Sequence, residues 1–502
     1  MLQLKVLVPL AFVAVSQALV DSRCKDAAWD STTDFWTTKL VPNTQSDETL
    51  PFSAVYNTTF VTVSNSNQVR NIVLYCTSEP PPASVIGESA LAIKVPVTNV
   101  AAIDGLSGNF IDMIGQSASV ARVGELNTVT SVCLRGNLND SITYDEANWV
   151  SAPDVDVAFS SSQAAANTSD IVIANDGDLK PLQVASYIKL IGMFYGLDDV
   201  ADDVYQAIAA SYRCAISRVE KGISSGSYTS GKAISPLRLT DTNFAVDQGS
   251  WWRSIVADAS LKLVAAYEDG ATASGDGAEE VLLSASSVST SIAKDSWAYI
   301  DTTQYQYDNI STDRLDLATW LSTTKAPSSI EAVKGSNIFL SDKAFNPALR
   351  HNFNDLGPAR PDLVLNDLIS LIYPGLLTDY TREFLRPVNN STETSDQRRL
   401  SNVCVASGTE VSSLDLGECT ISSATESDAP SASSSDSATG SHAKKSGLSI
   451  GEIAGIVVGI VVGVSMAAAT IVLFGLRKRR NAARSNEFNL GKSMSSSTLG
   501  RE

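Results

Sequence analysis

Two apolar runs bracket this chain and constrain what the rest of it can be. Lys5 precedes an apolar stretch from Val6 to Val15, and Ser16-Gln17-Ala18 places small residues just after it. A positive start, an apolar run too short to span a bilayer and small residues at the cut, in that order, read as a secretory signal. Residues 1–18 are therefore expected to be removed, with the mature chain starting near Leu19. The second run, Ile453 to Leu476, contains no charged residue. At about 1.5 Å per residue its roughly 24 residues reach about 36 Å, against about 30 Å of bilayer hydrocarbon. Arg477-Lys478-Arg479-Arg480 follows at once, a denser cluster than Lys444-Lys445 on the other side. Basic residues mark the cytoplasmic flank of a span. The expectation is a single-pass type I protein of the plasma membrane or another surface or endomembrane, with its N-terminal bulk extracellular or lumenal. Gly455, Gly459, Gly463 and Ala467 recur every four residues within the run. Such a face of small residues would let two span helices approach closely, as in a homodimer.

Cysteine usage agrees with an oxidising compartment. All six cysteines (Cys24, Cys76, Cys133, Cys214, Cys404 and Cys419) lie between the two apolar runs, and an even set there favours disulfides. Fifteen connectivities are open, with Cys404–Cys419 the simplest local pair. The chain has no CxxC pair to suggest a redox or zinc motif. Acceptor sequons for N-glycosylation begin at Asn57, Asn139, Asn167, Asn309, Asn389 and Asn390, and none follows Leu476. The formal charge of −18 makes the chain a poor partner for nucleic acid or for an anionic membrane surface.

The chain divides by composition. Residues 404–448 are dominated by Ser, Thr, Ala and Asp toward their end, and from about Thr420 to Ser446 almost no large apolar side chain occurs. Such a segment cannot bury enough surface to offset chain entropy, and it reads as a disordered stalk open to O-glycosylation. The tail at 477–502 is too short for an enzyme domain. The remaining ectodomain is too long for one small core, so two lobes are expected. Strand candidates fall at Val95–Ile103, Ser119–Val123, Val155–Phe159, Ile171–Ala174, Trp297–Ile300 and Asn337–Leu340. Helical spacing runs from Phe110 to Ile114, from Pro181 to about Val219, and from Leu363 to Ile372 before Pro374-Gly375. Alternating strands and helices predict an α/β fold with parallel sheets. The expected division is a first lobe at 19–180, a connecting helix at 181–220 and a second lobe at 221–403.

Four segments together resemble a known family. They are Val95-Pro96-Val97 with Asp104-Gly105, the helix to Gly115 and Val123-Gly124; Ala152-Pro153-Asp154-Val155-Asp156-Val157; Pro181-Leu182 through Phe194-Tyr195-Gly196; and Ala332-Val333-Lys334-Gly335 through Ile338-Phe339 with Arg360-Pro361-Asp362-Leu363-Val364-Leu365-Asn366-Asp367-Leu368 and Tyr373-Pro374-Gly375. In this order they resemble the substrate-binding proteins of bacterial ABC importers for iron–siderophores and cobalamin, over roughly residues 50–385. The resemblance implies a periplasmic-binding-protein-like fold, two α/β lobes joined by one long helix, and capture of a small ligand between them. Here a membrane span would stand in place of the bacterial lipid anchor.

Ligands of such folds sit beyond the carboxyl ends of the strands. On the first lobe that is the turn at Asp104, Gly105, Leu106 and Ser107, whose backbone N–H groups open a helix. On the second, Trp251-Trp252-Arg253 offers flat area and a fixed fork of donors, with Trp297, Arg350 and Asn352 as further candidates. The chain has only two histidines, His351 and His442. A His-built site for a free metal ion and a His-based nucleophile triad are both disfavoured. No phosphate-cradling Gly-Lys-Ser/Thr loop occurs, no pair of carboxylates stands out as acid and base, and no cofactor is expected. A metal already wrapped in an organic chelate remains compatible. The competing reading is adhesion, structural support or signalling that reuses the fold. A closed, apolar-lined cleft would favour capture; a cleft filled by the chain's own side chains or by a glycan would favour the alternative.

Overall fold

A computed structural model of the chain describes residues 24, 27–36, 50–65, 70–88, 90–138, 155–161, 170–173, 178–240, 243–264, 272–273, 280–284, 296–307, 314–346, 348–377, 380–390 and 396–397. All of them belong to one compact unit within residues 1–425; a second unit, 426–502, lies outside the described residues.

The first element is a four-stranded sheet of β1 (Phe52–Tyr56), β2 (Phe60–Asn65), β3 (Ile72–Tyr75) and β4 (Leu91–Lys94), antiparallel except for the β3–β4 pair. A short helix α1 (Ala83–Ile86) joins β3 to β4. Cys24 is bridged to Cys76, next to the end of β3, which ties the N-terminal segment to this sheet. Cys133 and Cys214 are also disulfide-bonded, while Cys404 and Cys419 lie outside the described residues.

A four-stranded parallel sheet follows, ordered β6-β5-β7-β8, from β5 (Val100–Ala102), β6 (Val120–Val123), β7 (Val157–Ser160) and β8 (Asp170–Val172). Its short strands β5 and β7 are buried at every position, as expected of a parallel sheet covered on both faces. Helix α2 (Gly105–Met113) leaves the carboxyl end of β5, and α3 (Val132–Asn137) follows β6.

Helices α4 (Pro181–Ala185), α5 (Tyr187–Tyr195) and α6 (Asp198–Ser224) replace the continuous helix expected from Pro181 onward. Gly196, at φ 63°, supplies the left-handed turn that ends α5, and α6 then runs for 27 residues. Gly192 lets the two helices meet: a Cβ there would lie 2.4 Å from Ala201 Cβ.

Beyond α6 lies an eight-stranded mixed sheet. It contains β9 (Ala233–Thr240), β10 (Asn243–Asp247), β11 (Lys262–Leu263), β12 (Thr272–Ala273), β13 (Glu280–Ser284), β14 (Ala298–Asp301), β15 (Ile338–Leu340) and, past the two-residue strand β16 (Ala344–Phe345), β17 (Arg386–Pro387). β9, β14 and β15 run parallel at its centre, with Ile234 opposite Ala298 and Tyr299 opposite Ile338. Antiparallel β10 and β13 extend one side and β17 the other, where only parallel pairing was expected. Helices α7 (Ser250–Asp258), α8 (Leu317–Thr324), α9 (Glu331–Lys334), α10 (Phe353–Leu356) and α11 (Pro361–Ile372) complete the unit.

One apolar core runs from Phe52 through α2, α5, α6, α7 and α11 to Leu385, so both sheets share it. A second core, with Leu237, Phe244, Tyr299, Trp320, Ile338 and Leu340, covers the other face of the eight-stranded sheet.

The membrane localisation expected above requires correction. Among the described residues no helix is long and apolar enough to cross a membrane. The signal at 1–18, the stalk, the apolar run at 453–476 with Gly455, Gly459 and Gly463, and the tail at 477–502 lie outside the described residues. So do Asn139, Asn167 and Asn309; Asn57 is half-buried, and Asn389 and Asn390 are exposed.

Candidate functional site

The turn after β5 is built by its own polar side chains. The Asp104 carboxylate accepts from Ser107 N at 2.9 Å, while Ser107 Oγ lies 3.4 Å from Asp104 N, a reciprocal cap on α2. Ser161 N, just past β7, also donates to Asp104. Asp104 and Ser107 therefore hold the turn in shape, and Ser107 is fully buried.

Gly105 has a different surrounding. A Cβ at this position would lie 2.3 Å from Cγ of Asp355 and 2.6 Å from its Cβ. Asp355 belongs to α10, in the half of the chain beyond α6, so the two halves touch at the start of α2. Its carboxylate takes Arg350 Nε at 3.2 Å and a hydrogen bond from Thr130. Burial pushes the Asp355 carboxyl above its ordinary range; Arg350 and the Thr130 bond oppose this, and nearby Asp104 adds to it.

Asn346 makes a second bridge across the same seam. Its Nδ2 donates to the carbonyls of Asn127 and Val129, each at 2.9 Å. Its Oδ1 accepts from Ala348 N and Arg350 N, each at 2.9 Å. Leu349 between them sits at φ 63°, a conformation that costs a non-glycine residue about 1 kcal/mol or more.

Behind this seam lies a buried charge network at the carboxyl ends of β14 and β15. Asp301 accepts from Tyr305 OH at 2.7 Å and Trp320 Nε1 at 2.6 Å, and burial raises its carboxyl. Asp342 pairs with Arg386 at 2.6 Å and accepts from Tyr307 OH at 2.7 Å. Burial opposes its charge, but Arg386 prevails and holds the Asp342 carboxyl below its usual range. His351 is fully buried, with its ring stacked on Tyr307 at 5.8 Å. Burial drives its imidazole down to about 4, against the pull of Asp342 and with the push of Arg386, Arg314 and Arg350.

The remaining candidates divide. Trp251 and Trp252 are 8% and 5% exposed and pack edge to face at 5.1 Å. Trp252 stacks on Phe353 of α10 at 6.0 Å, so it supports the segment that carries Asp355. Arg253 is exposed and donates to Gln248 O at 2.8 Å. Trp297 precedes β14 at the amino end of the strand, away from the seam, with Lys232 Nζ 4.1 Å above its ring. The structure thus brings Asp104, Gly105, Ser107 and Arg350 together, places Trp252 behind them, and sets Trp297 elsewhere. Asn352 is buried, and its N–H donates to Ala344 O at 3.0 Å. Asn346, Asp355 and Thr130 escaped sequence reasoning. Their one local signal is the polar run around Arg350-His351-Asn352 and Asn354-Asp355, which carries no apolar period. Among the described residues no group of three or more His, Cys, Asp or Glu is placed to hold a metal ion.

No family model and no curated protein matches this chain. Solved structures do match. A periplasmic binding protein from Veillonella parvula aligns at TM-score 0.41 and 12% identity, covering 65% of this chain and 99% of that one. A possible iron-binding (periplasmic solute-binding) protein from Staphylococcus epidermidis aligns at 0.40 and 12%, covering 55% and 99%. A periplasmic heme binding protein from Pseudomonas aeruginosa aligns at 0.39 and 12%, covering 56% and 94%. All three scores are below 0.5.

Proposed function

We propose that this chain is a binding protein that captures a small ligand at the seam between its two α/β halves, next to the start of α2. The observation that carries the reading is the polar character of this seam. Asp355 and Asn346 reach from one half to the turn and carbonyls of the other, Arg350 braces Asp355 from its own half, and Asp355 lies buried near a second carboxylate, Asp104. A contact serving only to hold two halves together is more cheaply made from apolar side chains, because buried charges lose hydration. Costly polar groups and a left-handed Leu349 at one place are the kind of arrangement that marks a working site. The ligand class follows from the resemblance of the sequence segments and from donor chemistry. With two histidines in the chain, a metal chelate that brings its own donors, such as an iron–siderophore, suits the site better than a free ion. No catalytic step is proposed.

A second reading is favoured by the same seam: filled by the chain's own side chains, it fits a fold reused for adhesion, structural support or signalling. Tryptophan fluorescence of the full chain, titrated with ferric acetohydroxamate, a ferric catecholate and cobalamin, separates the two. Capture predicts saturable quenching by at least one of them. No quenching by any, with the chain shown folded by circular dichroism, leaves the second reading.

A further inference from the structure

We infer that the loop from Ala348 to Leu356, together with Asn346, is an autoinhibitory plug, seated in the crevice and displaced when the ligand enters. The inference rests on the capture reading and adds how the site is regulated. Asp355 occupies the space above Gly105: a Cβ of residue 105 would lie only 2.3 Å from its Cγ, so the start of α2 admits no further group while Asp355 is in place. The plug's hydrogen bonds to the far half are few, Asn346 to two carbonyls and Asp355 to Thr130, and beside them α10 packs against α2. Each such bond contributes little net, because water replaces it on opening. Its attachments to its own half are stronger and local, namely Phe353 against Trp252 and Phe384, and Asn352 N to Ala344 O. Because none of the cross-seam hydrogen bonds goes to a strand, the loop can leave α2 without breaking a strand pair of either sheet. An oxygen-rich, weakly anionic chelate would take over the position now held by the Asp355 carboxylate. The cost of displacing the plug lowers apparent affinity by the fraction of time it is open.

The test compares the full-length chain with its Asp355→Ala variant, by tryptophan quenching with ferric acetohydroxamate, a ferric catecholate and cobalamin. The plug predicts that the variant binds at least one probe about tenfold or more tighter, as expected if the native crevice is open about a tenth of the time or less. Equal or weaker affinity in the variant overturns the plug and leaves capture standing. Absence of binding by both proteins, with both folded by circular dichroism, overturns capture and the plug with it. If Asp355→Ala does not fold, Asn346→Ala, which removes the bonds to Asn127 and Val129 and those from Ala348 and Arg350, is held to the same criterion.

Discussion

Asp367 lies fully buried in α11 and accepts four hydrogen bonds, from Tyr380 OH and from the backbone N–H groups of Glu383, Phe384 and Leu385. Burial pushes its carboxyl up to about 6, and the four donors hold it down from going further. In Asp367→Asn one oxygen becomes an amide NH2 group facing donors, so about 2–4 kcal/mol of stability should be lost, measured by urea unfolding. The segment from Arg360 to Leu368, so distinctive in the sequence, is thus a structural clamp, with Arg360 paired to Asp362 at 2.8 Å as well. Asp198, at the start of α6, accepts from Tyr56 OH at 3.1 Å. Burial raises its carboxyl to about 7, with Tyr56 opposing and Asp199 assisting. Because the folded value is the higher one, its contribution to stability is full below about pH 4 and is lost as pH rises through about 7. Urea midpoints at pH 5 and pH 8 should differ by less in Asp198→Asn than in the native chain; an unchanged difference would count against this. What was legible at this scale was local. Asp104 and Ser107 could be read as a helix start, whereas Asp355 meets Gly105 from about 250 positions later, a juxtaposition no local pattern encodes.

At the scale of elements, apolar runs located the parallel strands within one to a few residues. β6, β7, β8, β14 and β15 all lie on stretches that read as buried strands. Val95–Ile103 proved mostly turn, with only Val100–Ala102 in β5, because Asp156 draws the backbone N–H groups of Thr98 and Asn99 to its carboxylate. The antiparallel strands β1, β2, β10 and β13 were not anticipated: the expectation of strand–helix alternation leaves no place for hairpins. The continuous connector was broken by Gly196, which an apolar period cannot reveal. Gly192 fixes how closely α5 and α6 pack. Gly192→Ala would set a Cβ 2.4 Å from Ala201 Cβ and 3.0 Å from Leu197 O. Overpacking of this kind should cost about 1–3 kcal/mol, seen as a lowered Tm. An unchanged Tm would mean that the two helices separate freely.

For the molecule as a whole, a mixed α/β unit was readable from the alternation of patterns. The meeting of Asp355 with Gly105 was not, since it depends on how the two halves come together. The role proposed for that contact is a ligand seat held shut by the chain's own loop. Hydrogen–deuterium exchange of the full chain tests it most directly, read at the amides of Arg350 and Asn352 with and without saturating ferric acetohydroxamate. Both amides are hydrogen-bonded within the plug and its own half, to Asn346 Oδ1 and Ala344 O. The account predicts that bound ligand speeds exchange at Arg350, because Asn346, released from Asn127 and Val129, no longer holds its Oδ1 on the Arg350 amide, while Asn352 stays protected. Saturation of the protein with no change at Arg350, or slower exchange there, would contradict it.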